Sequence, residues 1–339
     1  MANFTTINKP SLYFNTLLYT GNGASPRAMT GVGFKPDWLW IKNRDGGTSY
    51  EHRQMDVVRG SNKVLHSSSN AAQNSEEYYT VGSFDSDGWT GRSGTGSQQS
   101  VVGGNDNGYN FVAWNWLAGG SSGSANTDGT INSTVSVNTT AGFSIVKFTG
   151  TGSAGTVGHG LGVAPKSYIL KSMGDTSAWL VYHDSLDATA PQDYRLVWNQ
   201  TTVRQDQTTW NDTAPTNSVF SVGSASEVNG NGVDRIVYCF AEKRGYNRFS
   251  SYIGNGNTNG TMVHTGFKPA WIMIKANDSE HWRVYDNKRD PNNLMYRCLF
   301  PNDPTTENTT NNGSEEIDFL SNGFKLRSSA NQLNGNGTT

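Results

Sequence analysis

Residues 33–42 read GFKPDWLWIK, and the chain repeats this ten-residue stretch. It returns at 266–275 as GFKPAWIMIK, with the same order of polar and apolar residues, and in a weaker form at 162–171 as GVAPKSYILK. In each stretch a proline precedes an apolar run that includes β-branched or aromatic residues, which is typical of a buried strand and too short for a stable helix. The lysines that end the stretches are expected to reach water with their amines: Lys42, Lys171 and Lys275.

Other landmarks keep the same order around the three stretches, which distinguishes a duplicated domain from a chance match. A segment that starts with phenylalanine and ends in a glycine loop precedes each stretch, and an Asn/Gly turn follows it. The preceding segments are 14–23, 143–152 and 249–256, and the turns are 105–108, 229–232 and 334–337. The sequence therefore predicts three tandem copies, each of about 100 residues, the size of one β-sandwich domain.

The turns and the scarcity of helical patterns predict an all-β fold. Asn-Gly and Asp-Gly pairs tolerate positive φ and join antiparallel strands, and only 55–77 could hold a short helix. We expect three tandem antiparallel β-sandwich repeats of the jelly-roll or lectin-like kind. The expected organisation is an N-terminal arm (1–13), copy 1 (14–118), a flexible Gly/Ser/Thr-rich linker (119–141), copy 2 (142–245) and copy 3 (246–339).

Copy 3 is expected to lack its last strand. In copies 1 and 2 the Asn/Gly turn leads into an apolar run, 109–116 and 233–242, whereas copy 3 has Thr338 and Thr339 where that run should begin. Either the sequence is a fragment or the strand comes from elsewhere, such as another chain. A missing central strand leaves backbone donors and acceptors unpaired, which is costly if they are buried.

Composition argues against several classes of protein. The chain has 339 residues, 26 Lys+Arg against 28 Asp+Glu and a net charge of −2, so it lacks the basic surface of a nucleic-acid-binding protein. It has no apolar leader and no apolar stretch of about eighteen residues, so we expect no membrane insertion. Cys239 and Cys298 lack CxxC spacing or paired histidines, which favours buried thiols over a zinc site or disulfides.

No motif predicts catalysis, a cofactor or a metal. Residues 150–155 (GTGSAG) match G-x-G-x-x-G, but the residues that follow cannot start the helix which would hold a pyrophosphate. A glycosidase needs only two suitably spaced carboxylates, and an Asp-x-Asp-Gly loop could hold calcium. A turn or a solvated edge is the alternative interpretation for the carboxylates that could be nominated: Asp85, Asp87, Glu315, Glu316 and Asp318.

A sugar site is the better candidate. The segment about ten residues after the decapeptide combines planar aromatics with acid and guanidinium groups, which suit the C–H faces and the hydroxyls of a sugar. Copy 1 has MDVVR at 55–59 instead, without the aromatics. The alternative is that the aromatics are core residues and that the acid and the arginine form a local ion pair. The candidate residues are Trp282, Tyr285, Asp286 and Arg289 in copy 3 and Trp179, Tyr182 and Asp184 in copy 2.

Together these features resemble an uncharacterised repeat domain of structural proteins from tailed bacteriophages, particularly marine ones. The features are the decapeptide, Y-D-x-x-R at 285–289, F-x-S-x-G-F at 319–324, the Asn/Gly turns and a strand that ends in Phe-Ala-Glu at 240–242. The resemblance covers nearly the whole chain, from about Phe14 to Thr339. It implies a virion protein, assembled in the host cytoplasm, whose partners are other virion or tail proteins and which forms a homo-oligomer, a trimer by analogy.

Three functions follow as expectations. The leading one is a non-enzymatic tail fibre or appendage whose lectin-like domains bind host surface glycan, where repetition would turn weak contacts into avidity. The second is a virion decoration or assembly protein that binds no glycan. The third is a glycan-degrading depolymerase.

Overall fold

The computed structural model describes residues 5–46, 50–74, 81–91 and 104–339. The fold is all-β: antiparallel strands form several open sheets, and helix is confined to short turns of the chain. No helix among these residues has the length and apolar composition needed to cross a membrane.

The names copy 1, copy 2 and copy 3 are kept below for residues 14–118, 142–245 and 246–339, and copy 1 contains a larger and a smaller sheet. Its larger sheet has the order β1-β8-β3-β4-β5, and its smaller sheet has the order β2-β7-β6. Residues 53–66 form strands, so the short helix expected from 55 onwards is not found there, and 75–77 lie outside the described residues. The strands are β1 (Phe14–Thr20), β2 (Arg27–Met29), β3 (Trp38–Asn43), β4 (Arg53–Asp56), β5 (Gly60–His66), β6 (Val81–Asp85), β7 (Gly88–Gly91) and β8 (Asn110–Trp116).

Copy 2 repeats this layout and adds two strands from the preceding residues. The larger sheet has the order β16-β15-β14-β13-β18-β11-β10-β9, and β12 pairs with β17 in the smaller one. The strands are β9 (Ser124–Asn126), β10 (Ser133–Asn138), β11 (Phe143–Thr149), β12 (Gly155–Gly158), β13 (Ser167–Ser172), β14 (Leu180–His183), β15 (Tyr194–Val197), β16 (Gln205–Asp206), β17 (Val219–Val222) and β18 (Asp234–Phe240), with helix α1 (Ser226–Asn229) before β18.

The residues expected to form a flexible linker therefore lie partly in the sheet. β10 pairs with β11 over its full length, from Ser133 opposite Phe148 to Asn138 opposite Phe143. Ile131, Val135 and Val137 share one face of 131–137 with Ser133, and Ile131 and Val135 pack in the core of copy 2. Apolar side chains at every second position let a strand bury one face, which is why the segment is not a free linker.

Copy 3 is smaller. β20 pairs with β21, and the second sheet has the order β19-β23-β22. In copies 1 and 2 the last strand lies between the first and the third, as in β1-β8-β3 and β11-β18-β13, but β20 pairs with β21 alone in the described chain. The elements are β19 (Met262–His264), β20 (Trp271–Ile274), β21 (Arg283–Asp286), β22 (Ile317–Leu320), β23 (Gly323–Leu326) and α2 (Asn331–Asn334).

All three copies contribute to one aromatic core. Trp38 stacks on Trp116 and on Tyr238 of copy 2, each with ring centroids 4.3 Å apart. Three further clusters lie between the larger and smaller sheets of the individual copies. The shared core includes Trp38, Trp40, Trp114 and Trp116 from copy 1, Phe143, Trp179, Trp198 and Tyr238 from copy 2, and Trp282, Val284 and Leu299 from copy 3.

Hydrogen bonds connect the copies in a ring. The Trp179 indole N–H donates to His66 O at 2.8 Å, so copy 2 contacts copy 1. The corresponding Trp282 N–H donates to Val197 O at 3.1 Å, so copy 3 contacts copy 2. Trp114 closes the ring, because its indole N–H donates to Asp286 Oδ2 of copy 3 at 3.0 Å.

Candidate functional site

A groove of about 500 Å³ lies where the last strand of copy 3 would be. One side is the segment 249–252 and the other is β20. Side chains of all three copies form its walls, because the groove opens onto the shared core. They are mostly apolar and include Trp116, Phe143, Phe240, Phe249, Trp271 and Met273.

The strand edge beside the groove is less covered than its counterparts. β3 and β13 are buried along their whole length, since β8 and β18 lie next to them. In β20 only Ile274 is buried, and Trp271, Ile272 and Met273 are half-buried. On the opposite side 249–254 is not a strand, and Ile253 is 64% exposed. The groove therefore lies between two backbone edges and is lined mainly by apolar side chains.

Two backbone hydrogen bonds place Thr338 and Thr339 at the head of the groove. Gly254 N–H donates to Thr338 O at 2.8 Å, and Asn277 N–H donates to Thr339 O at 2.7 Å. Thr339 thus occupies the position of Asn110 in β8 and Asp234 in β18. The corresponding bonds are Gly21 to Tyr109 and Arg44 to Asn110 in copy 1, and Gly150 to Val233 and Met173 to Asp234 in copy 2.

Basic and neutral polar side chains lie around the apolar part of the groove. Burial lowers the pKa of Lys275 to about 8, and nearby Arg283 acts in the same direction. Burial also lowers the pKa of His183, which favours the neutral imidazole. No Asp or Glu is among the described side chains that line the groove, so it lacks the carboxylate pair of a glycosidase. The basic and imidazole side chains of the lining are His183, Arg204, Arg248, Lys268 and Lys275.

The amino-acid sequence matches the model of a known family over nearly the whole chain. A model described as a domain of unknown function, DUF7483, matches residues 9–339. The chain belongs to the DUF7483 family. No curated protein and no solved structure matches it.

The DUF7483 chain buries almost all the residues that we nominated for sugar binding. Asp184 is the exception, since its side chain is 22% exposed, and it pairs with Lys166 at 2.6 Å. A sugar needs an open aromatic face, and the nominated aromatics present none in this structure. The six buried residues are Trp179, Tyr182, Trp282, Tyr285, Asp286 and Arg289.

Their contacts match the alternative interpretation, in which they hold the core together. Asp286 and Arg289 form an ion pair at 2.5 Å with both side chains fully buried. Tyr285 donates from its hydroxyl to Glu315 at 3.1 Å, and Tyr182 stacks on Tyr168. Asp286 also accepts from Trp114 of copy 1, so this cluster is part of the ring between copies.

Copy 1 has the same ion pair despite its different sequence. Asp56 and Arg59 pair at 2.5 Å, fully buried. The Tyr238 hydroxyl of copy 2 donates to Asp56 at 2.8 Å, as Trp114 donates to Asp286. In the strand register Trp38 lies opposite Asp56 and Trp271 lies opposite Asp286, so the two aspartates are equivalent. Because 55–59 has no aromatic residues, the sequence did not reveal that copies 1 and 3 share this ion pair.

The other nominated carboxylates have structural partners in the DUF7483 chain. Asp87 accepts from the backbone N–H groups of Gly31 and Gly33, which lowers its pKa. Asp85 accepts from the hydroxyls of Ser83 and Thr90. The described residues contain no cluster of three or more potential metal ligands. The remaining carboxylates also have partners: Glu315 pairs with Arg283, Glu316 accepts from Gly313 N–H, and Asp318 pairs with Arg327.

Sequence reasoning predicted the missing strand but did not treat the gap as a site. The sequence signal that could have revealed the site is the alternation of apolar side chains along the two complete runs, 109–116 and 233–242. Large apolar residues recur at every second position, as Val112, Trp114 and Trp116 in one run and as Ile236, Tyr238 and Phe240 in the other. Among the described residues copy 3 has no such run beside β20, so the surface that this run covers in copies 1 and 2 is uncovered in copy 3.

Proposed function

We propose that the chain is a non-enzymatic structural component of a tailed-bacteriophage particle, and that it works by binding other particle proteins. The observation that supports this most is that six of the seven residues nominated for sugar binding are buried structural contacts, which favours a structural role. The resemblance favours a place in the tail fibre or another appendage.

We further infer that each copy is a β-sandwich. In copy 1 the residues between the two sheets include Leu39 and Ile41 from the larger sheet and Met29 and Trp89 from the smaller one. A sheet that is apolar on one face must bury that face against another layer. The larger sheets bury their second faces against one another in the shared core, which leaves them unavailable for ligands.

The two alternatives have less support. Glycan binding by the nominated aromatics would require Trp282 and Tyr285 to leave the core, where they are 4% and 0% exposed. Depolymerase activity would require a carboxylate pair on an open surface, and the groove provides none among its described residues.

Immunogold electron microscopy of purified particles tests the proposal. We expect label at one defined position on the particle and retention of the chain after repeated gradient purification. Absence of the chain from purified particles would refute it.

A second assay addresses enzymatic activity. Incubation of the purified protein with host envelope polysaccharide should release no new reducing ends. Their appearance would replace the proposal with the depolymerase function.

A further inference from the structure

We infer that the contact between copies 1 and 3 is acid-sensitive, and that the ring opens there when His52 takes up a proton. His52 is the copy 1 residue at a position where copies 2 and 3 have a tryptophan. The inference goes beyond the proposed function and does not depend on it.

His52 is the counterpart of the two tryptophans that link neighbouring copies. Arg53 lies opposite Ile41, the ninth residue of the first decapeptide. Leu180 and Arg283 lie opposite the ninth residues of the other two decapeptides. The residues that directly precede these three are therefore equivalent, and they are His52, Trp179 and Trp282.

The imidazole of His52 faces the backbone that continues the ring. The two tryptophans donate to His66 O and Val197 O. Counted along the paired strands, the equivalent residue of copy 3 is Phe300. Burial lowers the pKa of His52, and the backbone of Phe300 acts in the opposite direction, as a neighbouring carbonyl does. His52 Nε2 makes no hydrogen bond of full geometry among the described residues. This third link is therefore weaker than the two indole links.

The other ring nitrogen fixes His52 as a neutral imidazole. The Trp40 indole N–H donates to His52 Nδ1 at 2.9 Å, and both side chains are fully buried. An indole nitrogen is a donor only, so Nδ1 must accept and the ring proton lies on Nε2. A proton on Nδ1 would set two N–H groups against each other. His52 therefore cannot take up a proton without losing its hydrogen bond to Trp40.

The charges around His52 also oppose a proton in the closed ring. Burial is the main reason that the pKa of His52 lies well below its ordinary value. Lys42 on β3, His66 on β5 and Arg289 after β21 act in the same direction. Lys42 also donates to Pro304 O of copy 3, so it belongs to the same contact. Proton uptake becomes favourable when copy 3 moves away and water reaches the imidazole.

Proton uptake couples the opening to pH. The closed ring holds His52 neutral, whereas in the open ring its pKa returns towards the ordinary value of about 6.5. Below this pH the open ring binds more protons, so opening becomes more favourable by up to about tenfold for each pH unit. The links made by Trp179 and Trp282 do not respond in this way, because an indole does not titrate. Opening would uncover the tryptophans of copy 1 in the shared core.

Two equivalent backbone amides report on two different interfaces. The Glu307 N–H donates to Arg44 O at 2.9 Å, between copies 3 and 1, and the Gln73 N–H donates to Met173 O at 2.9 Å, between copies 1 and 2. Hydrogen exchange of the full chain between pH 7 and pH 5, corrected for intrinsic exchange rates, measures both. We expect the protection of Glu307 to fall by up to about tenfold for each pH unit below about 6.5, and that of Gln73 to stay nearly constant.

Two variants assign the effect to His52. Glutamine can accept from Trp40 and donate towards Phe300 without titrating, so His52→Gln should remove the pH dependence at Glu307. His52→Trp introduces the residue of copies 2 and 3 and should have the same effect. His264→Gln is the matched control, because His264 is exposed on β19 and should leave the dependence unchanged.

The carboxylates of the same interface do not account for a difference between the variants. Asp286 and Glu307 are present in the native chain and in every variant, so their titration contributes equally to all of them. A fall in the protection of Glu307 that persists in both His52 variants overturns the inference. An equal fall at Gln73 and Glu307 in the native chain also overturns it, because the whole fold would then open together.

Discussion

At the scale of single residues, the lysines that end the repeated stretch correct a sequence expectation. We expected their amines to reach water, but Lys42 is 1% exposed and Lys171 is fully buried. Lys42 Nζ donates to Tyr50 O at 2.6 Å and to Pro304 O of copy 3 at 2.7 Å. Lys171 Nζ likewise donates to Asn70 O of copy 1 at 3.2 Å. The lysines are covered because neighbouring copies fold over the ends of their strands.

These lysines predict how stability depends on pH. Burial lowers the pKa of Lys42 to about 7, with a contribution from Arg53, and that of Lys171 to about 8. Both pKa values lie below the ordinary lysine pKa of 10.5, so above pH 7 the unfolded chain binds more protons than the folded chain. The free energy of unfolding should therefore rise with pH through this window.

Urea denaturation at pH 7.0, 7.7 and 8.5 measures this slope. Lys42→Met should flatten it, and Lys147→Met is the control, because Lys147 is on the surface and 35% exposed in its side chain. An unchanged slope in Lys42→Met would contradict the assignment.

The buried ion pair of copy 3 gives a second prediction. Asp286→Asn removes one of the two acidic partners of the buried Arg289, which keeps its ion pair with Glu307 at 2.9 Å. We expect the free energy of unfolding to fall by about 1–3 kcal/mol, because buried hydrogen-bonding groups are left unsatisfied. Asp184→Asn is the matched control, since its pair with Lys166 is partly exposed and should contribute about 0–1 kcal/mol. Comparable losses in urea denaturation would argue against a central role for the Asp286 pair.

At the scale of elements, local pattern predicted strands well and their partners poorly. The three decapeptides contain β3, β13 and β20, as their apolar runs predicted. For the aromatic segment that follows, a sugar site and a place in the core both stayed open, because sequence alone does not show which strands another copy will cover. The phenylalanines that begin the preceding segments gave the wrong alignment for copy 3. The glycine hydrogen bonds align Gly254 with Gly21 and Gly150. Phe249 therefore corresponds to Thr16 and not to Phe14.

Strand β10 gives a prediction at this scale. Val135 is 6% exposed and packs in the core of copy 2. Val135→Ala should lower the free energy of unfolding by about 1–3 kcal/mol, as is usual for a truncated core residue. Ser122→Ala, at an exposed position of the same segment, should change it by less than about 0.5 kcal/mol. A flexible linker would instead make both substitutions neutral in thermal or urea unfolding.

The groove beside β20 gives a further prediction. Addition of RIVYSFA, the 235–241 sequence with serine in place of cysteine, directly after Thr339 should fill the groove and raise Tm by about 1–2 °C for each kcal/mol gained in a chain of this length. The extension IRYVFSA has the same composition but places its large side chains on the opposite face, so it should not raise Tm. Differential scanning calorimetry provides the measurement, and equal Tm values for the two extensions would contradict the alignment of Thr339 with Asp234.

At the scale of the whole molecule, the shared core makes the copies interdependent. Trp38, Trp40, Trp114 and Trp116 of copy 1 face residues of copies 2 and 3. Three copies in this order stay a prediction from the repeated landmarks. The closure into a ring was not predictable, because it depends on contacts such as Trp179 to His66, which join distant parts of the chain.

This interdependence predicts cooperative unfolding. The full chain should unfold in one calorimetric transition, whereas isolated residues 1–118 should fail to form a folded monomer because four tryptophans would lie on one exposed face. Size-exclusion chromatography and near-UV circular dichroism of the fragment check this. A monodisperse fragment with native-like near-UV signal would show that copy 1 folds by itself.

The ring of hydrogen bonds between copies also has a sense of rotation. Trp114 of copy 1 donates to copy 3, Trp282 of copy 3 donates to copy 2, and Trp179 of copy 2 donates to copy 1. A cycle with one sense has two unlike faces, so an assembly that stacks on one face acquires a polarity from the order of the copies within a single chain.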